Sequence, residues 1–74
     1  MYVTTLQREY YPNRTHLFKV RLEGSFDNDL KFVCEVWEER NDNGSQKLIG
    51  TIFRDTYKEI VDFANNFYKS HVMN

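Results

Sequence analysis

At 74 residues, 41 % hydrophobic, 28 % charged and 16 % aromatic, the chain suits one small domain over residues 1–74, with a core built on large rings. Its single cysteine excludes an intrachain disulfide and a cysteine-based metal cage, and the apolar, mixed-charge composition excludes a disordered segment. A net charge of -1 argues against a dedicated nucleic-acid binder, which normally carries a basic excess.

The first ten residues, MYVTTLQREY, lack the basic start and apolar stretch of a signal peptide. No run approaches the roughly 20 apolar residues of a membrane span. The expectation is a soluble, cytoplasmic protein with no membrane partner. Asn13-Arg14-Thr15 fits the glycosylation pattern by chance on that reading.

Tyr2 to Gln7, rich in tyrosine, threonine and valine, reads as a first strand at a sheet edge. Pro12 interrupts it, because proline cannot donate to a ladder. His16 to Glu23 alternates Phe18, Val20 and Leu22 with Lys19, Arg21 and Glu23, the pattern of a half-buried strand. After the turn residues Gly24 to Asp29, Leu30 to Glu39 forms a third strand, with Phe32, Cys34 and Val36 on one face and Lys31, Val33, Glu35, Trp37 and Glu39 on the other. Asn43-Gly44 is a hairpin signal, and Gln46 to Phe53 returns antiparallel. The faces of this fourth strand stay ambiguous, since Leu48 with Ile52 and Ile49 with Phe53 are both apolar pairs.

Thr56-Tyr57-Lys58-Glu59 matches a capping box. Ile60, Val61, Ala64, Phe67 and Tyr68, widened by Phe63, then recur at helical spacing, while Lys58, Asp62, Asn65, Asn66 and Lys69 form the polar side. The predicted fold is α+β, an antiparallel meander of three or four strands with one carboxy-terminal helix packed on one face, in the order β-β-β-β-α. Phe18, Val20, Leu22, Phe32, Cys34 and Val36 should meet the helix.

The chemistry-bearing residues are sparse. His16 and His71 lack ligand spacing with the one cysteine, so a surface or capping role is expected for them. Cys34 lies in an apolar row, where a thiol acts as a small hydrophobe with a raised pKa. Neither Asp27, Asn28 and Asp29 nor Glu35, Glu38 and Glu39 follows a calcium-loop pattern, and the glycines are scattered singly. No catalytic, cofactor-binding or metal-binding residues, and no small-molecule substrate, are therefore assigned.

What remains is the sheet face away from the helix. It gathers Leu17, Lys19, Arg21, Val33, Glu35, Trp37 and Lys47, with one of the two apolar pairs of the fourth strand. An apolar patch rimmed by charge marks an interaction site, and tryptophan and arginine are enriched in binding hot spots. The competing reading folds Trp37 over a strand end as a minor second core, or packs it under Tyr10 and Tyr11.

Three strands followed by a helix, with arginine, lysine and tryptophan on the open face, resemble plant ethylene-response DNA-binding domains and the arm-binding domains of phage integrases. The stretch from Phe53 to Ile60, FRDTYKEI, is similar to their aromatic-x-Thr-x-x-Glu-Ala junction, with one residue inserted and isoleucine replacing alanine. The likeness spans about half the chain and implies a sheet that enters the major groove. The glutamates among the basic residues depart from that pattern, since each would face phosphate.

The leading expectation is a non-enzymatic interaction or regulatory domain that binds a protein, or itself as a homodimer, through the open face or an edge strand. Its binding residues would be Lys19, Arg21, Val33, Glu35, Trp37 and Lys47. The alternative is a nucleic-acid-binding module, with Lys19, Arg21, Lys31 and Lys47 on phosphates and Trp37 stacked on a base.

Overall fold

The computed structural model describes residues 3–10, 13–24 and 30–72. Four strands, β1 (Thr4–Tyr10), β2 (Arg14–Gly24), β3 (Leu30–Arg40) and β4 (Gln46–Arg54), precede a single helix, α1 (Tyr57–Val72). The strands form one antiparallel sheet in the order β1-β2-β3-β4, so sequential strands pair throughout and the fold is the expected α+β meander. The strand boundaries differ modestly from the predicted ones. β1 runs on through Tyr10, and β2 begins at Arg14, two residues before the alternation becomes apolar. Tyr2 of the predicted first strand, Tyr11, Pro12 and the turn residues 25–29 lie outside the described residues, as do the side chains of Tyr10 and His71.

The β3–β4 loop closes around Gly44, whose φ of 74° costs a glycine little; its N–H donates to the Arg40 carbonyl at 2.7 Å. At the same end of the sheet, the chain enters β2 through Asn13, whose φ is 58°. The two turns are tied together: the Asn41 amide donates to the Asn13 carbonyl at 3.0 Å and the Thr15 hydroxyl donates to Asn41 Oδ1 at 2.8 Å.

The helix start is the predicted capping box. Glu59 N–H donates to Thr56 Oγ1 at 3.3 Å, while Glu59 Oε2 accepts from the amides of Thr56 and Asp55 at 3.1 and 3.2 Å. Only Asp55 and Thr56 separate β4 from α1, so the chain reverses at once over the sheet. The helix then runs diagonally. Tyr57 meets Phe32 of β3, Phe63 and Phe67 meet Phe18 of β2, and Asn65 reaches Arg8 of β1.

The core lies between helix and sheet: Phe18, Val20, Cys34, Val36, Ile60 and Ala64, with Leu6, Phe32, Ile52, Phe63 and Phe67 packed around them. Fully burying a large aliphatic or aromatic side chain contributes about 1.5–3 kcal/mol, so this one layer supplies most of the fold's drive. Two expectations fail here. Leu22 shares the parity of this row but stands beyond the helix and is exposed. His16, expected at the surface or as a cap, is fully buried, because it shares the strand parity of Phe18 and Val20 and the helix covers it with Phe67. Its ring packs edge-on to Phe67 at 4.6 Å, and its Nε2 lies 3.6 Å from Glu38, which Arg14 also approaches at 3.6 Å.

Candidate functional site

Strand parity turns Leu17, Lys19 and Arg21 of β2 and Val33, Glu35 and Trp37 of β3 away from the helix, as expected. Five of the six predicted binding residues, Lys19, Arg21, Val33, Glu35 and Trp37, thus share one face. Lys47 does not. β4 carries an extra residue, Ile49, between the pairs Val36↔Gly50 and Trp37↔Leu48. Beyond that bulge the parity of β4 reverses, and Lys47 stands opposite Glu38, on the side of His16.

The bulge also resolves the ambiguity of the fourth strand. The predicted pair Leu48 with Ile52 is split between the faces, while Ile49 of the other pair takes no partner on β3. Phe53, opposite Val33, and Leu48, opposite Trp37, both join the open face, while Ile52, opposite Cys34, joins the core. A regular period of two would separate Leu48 from Phe53. The sequence signal that could have found the bulge is weak: two adjacent apolar residues followed by Gly50, a residue type that often marks a bulge.

The open face is less open than the lack of a covering element implies. Val33 is 0 % exposed and Leu17 5 %. Their cross-strand neighbours are long: Leu17 lies between Gln7 and Trp37, and Val33 between Arg21 and Phe53. Stems of this length cover apolar surface while their polar ends stay wet. Trp37 is half-buried, its indole N–H donates to Glu35 Oε1 at 3.1 Å, and Lys19 Nζ sits 4.8 Å from the ring centroid. Glu35 Oε2 accepts from Arg21 Nη1 at 3.1 Å, and Arg21 Nε donates to Glu23 at 3.1 Å. Glu23 first, and then Glu35, hold the Arg21 guanidinium above its ordinary pKa range. Trp37 is therefore the lid of a small second layer, held by charge.

The exposed apolar surface is elsewhere. Leu48, Ile49 and Phe53 of β4 are 46, 41 and 57 % exposed, and no described strand pairs with the outer side of β4. Gly50 stands opposite the buried Val36, yet a Cβ there would meet nothing within 4 Å. The helix therefore stands clear of the middle of β4 even on the core side.

Other groups offer less chemistry. Burial, and then the charge of Glu35, push the Cys34 thiol up to about 11, the opposite of what a nucleophile needs. Lys31, considered for phosphate contact, is paired with Asp55. An open groove of about 750 Å³ beside β1 is lined by Gln7, Arg8, Glu9, Asn65, Tyr68 and Lys69, but the Arg8 guanidinium in it is already bonded to Asn65 at 2.9 and 3.0 Å and to the Gln7 carbonyl at 2.8 Å. Among the described residues, no three of His, Cys, Asp and Glu form a metal-binding group, and no helix is long and apolar enough to cross a membrane. No family model, curated protein or solved structure matches the chain.

Proposed function

We propose that this protein is a small, non-enzymatic interaction domain that binds a protein partner through β4, its bare edge strand, with the adjoining open face as the rim of the contact. The observation that carries this reading is the concentration of Leu48, Ile49 and Phe53, all exposed, on a strand whose outer side has no described neighbour. An edge of this kind is a template for strand pairing. The reading admits both a second copy and a different protein, and it takes a cytoplasmic setting, which suits the single buried free thiol. The ionic contacts of the open face favour protein over nucleic acid as the partner. Arg21 is shared between two glutamates, and a phosphate backbone approaching it would meet their charge.

The test compares wild type with the Leu48→Ser/Phe53→Ser variant. Solution mass by sedimentation and capture of partners from a cell extract should each be read on both proteins. Association that disappears in the variant supports the reading; association in neither, or equal association in both, removes it.

A further inference from the structure

Resting on that reading, we infer that the occupant of the β4 edge is a seven-residue extended segment of a different protein, with apolar side chains at its second and sixth positions and a carboxylate at each end. β4 bears two cations, Lys47 and Arg54, and no anion. Neither forms an ion pair among the described residues; the Arg54 guanidinium packs over the Phe63 ring, 6.0 Å from its centroid, and donates to the Phe53 carbonyl at 2.8 Å, which leaves its charge without a carboxylate. Lys47 lies opposite Glu38 and Arg54 opposite Phe32, so both belong to the helix side of the sheet, while Phe53 and Leu48, each one residue inward, belong to the open side. The edge thus presents charge on one side and apolar surface on the other.

The bulge makes this arrangement readable by a regular strand. Arg54, Phe53, Ile52, Thr51, Gly50, Leu48 and Lys47 take successive partners on β3, with Ile49 skipped. A straight strand on the outer side would therefore meet Arg54 and Lys47 with its first and seventh residues, which have the same parity and face the same side. Its second and sixth residues would meet Phe53 and Leu48. β3 presents a similar pattern on the inner side, setting Val33 against Phe53, Trp37 against Leu48 and Glu38 against Lys47, but Glu38 pairs with Arg14 and His16 rather than with Lys47. A docked strand with acidic ends supplies the carboxylates that neither Lys47 nor Arg54 has on β3.

A second copy fits this edge badly. Two β4 strands paired antiparallel about Thr51, the register that sets Leu48 against Phe53 of the copy, oppose Lys47 to Arg54 of the copy. Like charges directly opposite are destabilising. β1, the other edge, carries Arg8 beside Glu9 and has no acidic pair to offer.

The test is a titration of the ¹⁵N-labelled protein with an end-capped peptide, Glu-Val-Thr-Thr-Thr-Val-Glu, followed by backbone amide shifts. Saturable shifts confined to Gln46–Arg54 are expected, with affinity lowered about tenfold or more by Lys47→Glu/Arg54→Glu. The same peptide with lysine in place of both glutamates should fail on wild type and bind that variant, a check on the unaltered protein in case the variant folds poorly. Indifference to both charge swaps, with binding still lost in Leu48→Ser/Phe53→Ser, overturns this inference and leaves the interaction reading standing. Absence of β4 shifts at millimolar peptide overturns it too, as does self-association that depends on Phe53, which would assign the edge to a second copy. Partner capture unaffected by Leu48→Ser/Phe53→Ser is the separate failure of the interaction reading.

Discussion

The two edges of the sheet are finished in different ways. β1 lies under the far half of α1, and its Arg8 is clamped to Asn65 by two hydrogen bonds. β4 is connected to the same helix through only Asp55 and Thr56; α1 keeps contact with its Ile52 and Arg54 and then crosses to the opposite edge. Leu48 and Phe53 lie on the face away from the helix, where no described element covers β4, so the two edges differ in both cover and chemistry: one is clamped by polar contacts to α1 and the other ends in exposed apolar side chains.

Substitutions sharpen that comparison, and the largest effect belongs to the clamped region. Phe18→Ala removes a fully buried ring that touches His16, Phe63 and Phe67 and should cost about 3–5 kcal/mol in denaturant unfolding. Asn65→Ala releases Arg8 from the β1 edge and should cost about 1 kcal/mol, since both partners are partly exposed. Glu35→Ala breaks the contacts to Trp37 and Arg21 on the open face; it should cost below about 1 kcal/mol and shift Trp37 emission to the red. At β4 the sign reverses: Gly50→Ala has room for its Cβ and should raise stability by about 0.5 kcal/mol.

Cys34 supplies a pH test of the core. Its thiol pKa is raised in the folded state from 9.0 to about 11, so folding favours the protonated form. The stability it contributes is complete below about pH 9 and is lost as pH rises toward 11, because the unfolded chain gives up the proton first. Alkylation by iodoacetamide at pH 8 should be slow in the native protein and fast in denaturant. Fast alkylation of the native state would place the thiol outside the core.

Much of the fold was legible because its signals are local or strictly periodic. Phe18 and Val20 alternate with Lys19 and Arg21, Asn43-Gly44 marks a hairpin, and Thr56 with Glu59 caps a helix. His16 could have been placed by extending the parity of Phe18 and Val20 back two residues. The candidate site was less legible, since a bulge adds one residue with no periodic trace. That insertion moved Lys47 off the open face and put Leu48 and Phe53 on it together. The covering of Leu17 and Val33 depends on side chains from neighbouring strands, which no single strand's pattern records.

The proposed use of β4 requires its exposed strip, Leu48 with Phe53, to be dispensable for folding. Denaturant unfolding of the Leu48→Ser/Phe53→Ser variant tests it most directly. The account predicts a loss of at most about 1 kcal/mol for each substitution, well below that of Phe18→Ala. A loss of several kcal/mol at either position would show that the strip belongs to the core, and would contradict the account.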